Sequence, residues 1–361
     1  MEPVSAYQNF GQRFHSNLRA RLAACFIGLA FFIAIFAYFL APDHTPGANN
    51  QIPEIALQAP GFRVAILEVP LARFTEKNNW WQLLWNGQPN VFRSVPLADT
   101  KIRQQHDTLY FHRFENPSQE STLLLETGQA VPSIHTNYYA LGTDKYGRCT
   151  LSRLLLGFRV SLFVGALAVL ISLSIGLVAG ALGGFFGGRV DALVLLVVNT
   201  VWSIPTLLLV FAIVLALGRG IGIVFLAVGL TMWVDVARMV RGQVLALRDL
   251  PFAEAAKSMG FSRMRILFVH LLPNLLGPVM VIAAGNFATA ILLESGLSYL
   301  GFGVQPPAPS WGSMLNENYG YALGGKPFMA LVPACTIALT VLAFNLVGNG
   351  LRDALDVKSA I

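Results

Sequence analysis

Residues 320–327, Gly-Tyr-Ala-Leu-Gly-Gly-Lys-Pro, match G-x-x-x-x-G-K, the start of a phosphate-cradling loop. Such a loop passes magnesium to a following Ser or Thr, and here that position is Pro327. No βαβ pattern surrounds it, so the segment is not expected to bind a nucleotide. His106 and His112 lack a third ligand at a useful spacing, and no metal site is expected. Cys25 and Cys335 lie within apolar runs and Cys149 stands outside them, which reads as three unpaired thiols. Asp235 and Glu294 fall near the ends of apolar runs. A carboxylate costs less there than at mid-bilayer, so interfacial placement is expected before a role in a substrate path. No Ser/His/Asp arrangement is assembled anywhere. No covalent chemistry and no cofactor bound by this chain are expected, and any uphill movement would draw on a partner or an ion gradient.

The elements that carry these residues are set by composition. The 361 residues are 55% hydrophobic and 12% charged, against about 25% charged in a soluble domain, and the mean hydropathy is +0.58. The formal net charge of +6 lies mostly beside the apolar runs rather than in blocks interleaved with aromatics. That pattern marks membrane topology and argues against a nucleic-acid partner. Six spans are expected: Leu22–Leu40, Val160–Leu182, Ala192–Leu217, Ile221 to about Val240, Leu271–Leu293 and Phe328–Val347. The first is about 28 Å long as a helix, too long for the apolar part of a cleaved signal peptide. Six spans put both termini on one side. Arg13, Arg19 and Arg21, the cluster Arg238–Arg265, and Arg352 with Lys358 all fall on that side, which the positive-inside rule makes cytoplasmic.

Between the first two spans, residues 42–148 hold nine Lys/Arg and ten Asp/Glu, so no charge bias opposes translocation. Runs such as FRVAILEV (62–69) and TLYFHRF (108–114), broken by Pro, Asn and Gly, predict a small β-rich domain. Gly176, Gly180, Gly184 and Gly188 recur every fourth residue, a stripe that lets a second helix approach closely. Pro205, Pro278 and Pro333 interrupt other spans. The carbonyls they free need partners inside a bundle.

One cytosolic stretch, EAAKSMGFSRMRILFVHLLPN (254–274), is basic and amphipathic. Asp249 is a cap candidate and Pro251 suits a first turn. Phe252, Ala255, Ala256 and Met259 form one apolar stripe. Gly260 suits a left-handed stop, and Ser262 caps a second helix leading to Pro273. Shape alone leaves two readings: a lever gripped by a soluble protein, or a helix lying on headgroups with Arg263 and Arg265 at phosphates.

Glu254, Ala255, Ala256, Gly260, Leu272 and Pro273 resemble the EAA signature of ATP-binding-cassette importer permeases, with His270 where Ile is usual. Residues 141–162, 296–315 and 348–356 resemble the C-type permease of dipeptide, oligopeptide and nickel importers, extending the likeness over 141–356. Cys149 departs from the pattern, which has Asp after Gly-Arg. The resemblance implies an all-α polytopic membrane protein with six transmembrane helices of the type I importer (MetI-like) fold. A small β-rich extracytoplasmic insertion would follow the first helix. The layout would be a cytoplasmic 1–21, helix 22–40, extracytoplasmic 41–140, a core at 141–356 with its coupling region at 249–273, and a tail at 357–361. Glu254, Ala255, Ala256, Met259, Gly260 and Pro273 would couple to a cytoplasmic ATPase that holds ATP and magnesium. Loops carrying Asp144, Gly147, Arg148 and Trp311 would lie where an extracytoplasmic binding protein delivers peptide. A homologous B-type permease would supply the second coupling site. The same machine carrying nickel or another small solute, a membrane-anchored sensing or scaffold protein, and a gradient-driven carrier are the rival readings. The carrier would need an inverted repeat and mid-span ion ligands.

Overall fold

The computed structural model describes residues 11–70, 78–100, 102–105, 108–124 and 133–355; His106, Lys358 and the tail at 357–361 lie outside them. The long helices are α1 (Leu18–Ile35), α4 (Thr150–Phe186), α7 (Ile221–Arg248), α9 (Arg263–Tyr299) and α11 (Phe328–Leu355). Each is long and apolar enough to cross a bilayer, and α5 (Gly188–Trp202) with α6 (Thr206–Leu217) is a pair bent by 88°. Shorter helices are α2 (Ala37–Leu40), α3 (Trp80–Asn86), α8 (Pro251–Ser258) and α10 (Trp311–Leu323).

The bent pair corrects the expected continuous third span. Pro205 has no N–H to donate and disfavours helical backbone at Ile204, so the helix ends at Trp202. Ser203 Oγ donates to the Thr200 carbonyl at 2.8 Å. From α7, Arg238 donates to Asn199 Oδ1 at 2.9 Å and stacks 3.9 Å from the Trp202 ring centre. Asp235 is exposed and borders a small cavity of about 130 Å³ at this break.

The chain divides into two compact units. One comprises residues 11–31, 161–305 and 334–355. Its seam is the glycine stripe. A Cβ at Gly176 would lie 2.5 Å from Val236 Cβ, one at Gly180 would lie 2.5 Å from the Ala237 carbonyl oxygen, and one at Gly184 would lie 2.8 Å from the Arg241 carbonyl oxygen. All three therefore bring α4 onto α7 at backbone contact. Arg241 closes the end of this seam with a two-pronged ion pair to Asp191, at 2.5 and 2.6 Å. Glu294, expected near an interface, is enclosed by the protein. It is fully buried in protein, accepting from Ser161 Oγ at 3.0 Å and Ser298 Oγ at 2.8 Å. Hydroxyl donors replace the water that an interface would have supplied.

The other unit, residues 32–160 and 306–333, holds the sheet. Its antiparallel strands β1 (Phe62–Pro70), β2 (Phe92–Leu97), β3 (Arg103–Gln105), β4 (Thr108–Arg113), β5 (Asn116–Leu124) and β6 (Ser133–Tyr139) run in the order β3-β4-β2-β1-β6, with β5 on β4. Central β1 serves two small cores. Val64 and Ile66 pack with Ile52, Ile55, Tyr139 and Cys149; Leu67 and Val69 pack with Val95, Leu97, Leu109 and Phe111. Burial pushes the Tyr139 hydroxyl up to about 12 and raises the Cys149 thiol above its ordinary value. Cys25 and Cys335 are exposed on α1 and α11.

This unit is discontinuous, which the linear 41–140 boundary did not foresee. Segment 306–333 joins it through charge and a ring. Asp144 accepts from Arg148 Nε at 2.7 Å, and Glu317 on α10 accepts from Arg148 Nη2 at 2.5 Å and Arg153 Nη2 at 3.4 Å. Two cations and two anions cancel in a nearly dry cluster. Trp311, fully buried, donates to the Leu154 carbonyl at 3.3 Å, and Gly157 leaves room for its ring. The phosphate-loop lookalike is the end of α10, and its Lys326 donates to the Leu57 carbonyl at 2.7 Å.

Three outcomes follow. Glu317→Gln leaves two buried guanidiniums with one carboxylate and should cost about 3–5 kcal/mol, read as a lower apparent Tm of the detergent-solubilised chain. Gly180→Val should cost about 1–3 kcal/mol by overpacking. Gly242→Ala on the same helix pair, with open space beyond it, should be neutral or slightly stabilising in the same assay. A thiol held protonated by burial binds its proton more tightly folded than unfolded. That contribution is present below the ordinary thiol value and lost as pH rises past it. At pH 8 a maleimide should therefore label Cys149 only after denaturation, as read by mass spectrometry of its peptide.

Candidate coupling site

The EAA stretch folds as a helix, a left-handed stop and a second helix. Pro251 occupies the first turn of α8, where a missing N–H costs nothing. The cap position is Leu250 without a side-chain bond, and Asp249 instead follows the end of α7, 3.3 Å from Arg248 Nε. The Asp249 capping expectation is thus corrected, because α8 begins at Pro251 and Asp249 is the C-terminal cap of α7 instead. Gly260 has φ +78°, and two backbone bonds close the stop: Phe261 N–H to the Ala256 carbonyl at 3.2 Å and Gly260 N–H to the Lys257 carbonyl at 3.0 Å. This is the paired C-terminal motif that favours glycine. A Cβ at Gly260 would meet nothing within 4 Å, so conformation alone selects the residue.

Two stripes of α8 part ways. Ala253 and Ala256 are buried, whereas Phe252, Glu254, Ala255, Lys257 and Met259 are exposed. The expected stripe of Phe252, Ala255, Ala256 and Met259 is therefore split, with only Ala256 turned inward. Ala253, which periodicity did not single out, is its inward partner. Both pack in one core with Val236, Val240 and Val244 of α7, Ile266, Leu267, Leu271 and Leu275 of α9, and Ala181 of α4.

Beyond the stop, Ser262 Oγ accepts from Arg265 N–H at 3.4 Å and starts α9. Its first turns are irregular: a π turn over Ile266–Leu271, then a 3-10 turn over Leu272–Leu275. Pro273 is the cause, since it removes a donor and crowds the carbonyl four residues back. Asn274 Nδ2 takes up the His270 carbonyl at 2.6 Å. The Phe261 ring stacks on His270 at 5.7 Å between centres, and the Arg265 guanidinium lies 4.4 Å from the Phe261 ring centre. Phe261 thus fastens the turn to the helix that enters the membrane. Its place directly after the stop glycine, where a hydrophobic contact often accompanies this cap, was the available sequence signal.

The remaining site candidates lie elsewhere. Gly176, Gly180 and Gly184 line the α4–α7 seam. Asp144, Arg148 and Trp311 are buried at 2%, 3% and 0% exposure, so their side chains hold their own loops and do not present a surface to a docking protein. Gly147, at φ +72°, lies against the Ile52 carbonyl. Glu317 and Arg153, absent from the sequence reading, complete that cluster; two arginines beside an apolar run, needing counter-charges, were the only hint. Among the described residues no group of three or more His, Cys, Asp or Glu could hold a metal ion.

Residues 172–359 match the family of binding-protein-dependent transport system inner membrane components. A dipeptide transport system permease protein of Bacillus subtilis (strain 168) is 39% identical over 232 residues, 64% of this chain and 72% of that protein. An oligopeptide transport system permease protein of Haemophilus influenzae is 40% identical over 229 residues, covering 63% and 73%. A glutathione transport system permease protein of Escherichia coli is 43% identical over 217 residues, covering 60% and 71%. The solved inward-facing methionine transporter MetNI aligns with a TM-score of 0.46 at 22% identity, over 56% of this chain and 96% of that chain. With its long apolar helices, the chain belongs to the binding-protein-dependent transport system inner membrane component family and is a multi-pass membrane permease component.

Proposed function

We propose that this chain forms half of the translocation path of an ATP-binding-cassette importer for di- or oligopeptides, and that α8 docks on a separate ATPase. One observation carries the reading. α8 exposes Glu254, Ala255 and Met259 while its other stripe is welded into the core of α7 and α9. A load placed on the exposed stripe therefore reaches the membrane helices without slack. The headgroup reading of the same segment is less well supported, because Arg265 is engaged on Phe261.

The relatives named for dipeptide, oligopeptide and glutathione transport support the peptide class. The partners are a homologous B-type permease, ATPase subunits that bind ATP with magnesium, and an extracytoplasmic binding protein. The arginine clusters support cytoplasmic termini in an inner membrane. ATP-driven closure of two ATPases would draw the two coupling helices together and open the path outward; hydrolysis would reset it. No catalytic group of this chain takes part.

Gly260→Val strains a left-handed position by about 1–2 kcal/mol without a clash, and Glu254→Lys reverses an exposed charge. Both variants should insert normally, yet the reconstituted transporter should lose at least tenfold in peptide-stimulated ATP hydrolysis and uptake. Disulfide cross-links should form from Ala255→Cys or Met259→Cys to the ATPase, and not from buried Ala256→Cys. Wild-type uptake in both charge and glycine variants would sink the proposal.

A further inference from the structure

Helix α3 exposes three tryptophans on seven residues: Trp80 at 60%, Trp81 at 57% and Trp85 at 62%. Tryptophan is well buried on average in folded chains, so this concentration calls for a partner. The helix itself is firmly made. Gln82 Oε1 accepts from the Asn79 N–H at 3.0 Å at its start, and Gly87, at φ +75°, donates to the Leu83 carbonyl at 3.2 Å at its end. Leu84 is buried.

Its height relative to the bilayer follows from Arg159. This residue immediately precedes the uncharged run Val160–Leu182 and so stands where α4 enters hydrocarbon. Its Nε and Nη2 donate to the carbonyls of Ala34 and Ile35 at 2.8 and 2.6 Å, where α1 ends. One apolar helix thus ends, and the uncharged run of another begins, at one guanidinium. The same group lies 5.4 Å from the Trp85 ring centre and 5.1 Å from that of Tyr38, and Nη1 reaches the Trp85 carbonyl at 3.5 Å. Trp85 therefore sits at the edge of the hydrocarbon. Phe32, Phe36 and Phe39, each partly exposed, lead up to that edge with ring centres 4.8 and 6.5 Å apart.

We propose that α3 lies in the lipid headgroup layer of the outer leaflet and anchors the sheet-bearing unit to the membrane surface. Indole rings prefer this layer, where an apolar body meets ester and headgroup dipoles that accept from the ring N–H. Residues 78–92 contain no charged side chain, which suits the carbonyl region of the bilayer. A protein partner would leave the coincidence with Arg159 unexplained. The proposal rests on the multi-pass character of the chain and is independent of its cargo.

The test uses the full chain with Cys25→Ala, Cys149→Ala and Cys335→Ala, reconstituted alone in phosphatidylethanolamine/phosphatidylglycerol vesicles. A nitroxide is placed at Trp81→Cys, and a second preparation carries it at Gln119→Cys, an exposed position on β5. Power-saturation spectra with oxygen and with a water-soluble nickel chelate give the depth of each. At position 81 the chelate should collide at least fivefold less often than at 119, with oxygen collisions higher. Equal access of the chelate to both labels overturns the proposal, because the tryptophans would then face water or await a protein. Should Trp81→Cys not reconstitute, the label at Trp85→Cys reads the same surface by the same criterion.

Discussion

A backbone carbonyl or N–H freed inside hydrocarbon has no water to turn to, so each interruption of a membrane helix must be covered by the protein itself. At two such places among the described residues, side chains cover the break. At residues 203–205 the Ser203 hydroxyl takes one carbonyl, while Arg238 takes Asn199 and covers the Trp202 ring. At the start of α9, Asn274 Nδ2 donates to the His270 carbonyl, beside Pro273 and the π turn. Fixed partners make these bends features of the ground state rather than points of disorder. The segments on either side then behave as bodies with set angles between them.

The turn between α8 and α9 is held with the same firmness. Fully burying one Val, Leu or Ile is worth about 1.5–3 kcal/mol, whereas an exposed ion pair is worth about 0–1 kcal/mol. The core under α8 contains eight such side chains from α7 and α9 besides its own two alanines. Its cohesion far exceeds that of any charge contact α8 makes on its open side. α8 moves with the membrane helices beneath it. The seam at Gly180 and Gly184 then continues the same contact into α4, because backbone rather than flexible side chain meets Val240 and the Arg241 carbonyl.

Much of this was legible in the residues, and the failures have a common cause. Alternation in FRVAILEV and TLYFHRF marked β1 and β4, because strand faces repeat every second residue. Gly260 marked a stop because only its backbone tolerates the angle. Hydropathy, by contrast, counts side chains and is blind to the donor that Pro205 lacks, so one apolar run concealed an 88° bend. Periodicity located a stripe on α8 but not its phase: Ala253 and Ala256 face the core only because α7 and α9 lie on that side. Glu317 lies 169 residues from Arg148 in sequence, and Glu294 meets Ser161 from 133 residues away. No local pattern announces a partner at such range, and burial of a carboxylate becomes tolerable only once that partner is present.

The stop and the turns that follow it differ in how firmly they are held. The stop has two backbone bonds, and Phe261 is held between Arg265 and His270. Its angle cannot open without breaking ring contacts and backbone bonds together. The next ten residues, 266–275, pass from π to 3-10 geometry, where hydrogen bonds are less well aligned than in an α-helix. They are also backed by buried Leu267, Leu271 and Leu275 on one face while Phe268 and Val269 are exposed on the other. α9 is thus firmly held at the stop and irregular one turn later, on either side of Pro273. Gly260 fixes the angle at which the chain leaves α8, and Pro273 fixes where the following helix departs from α geometry.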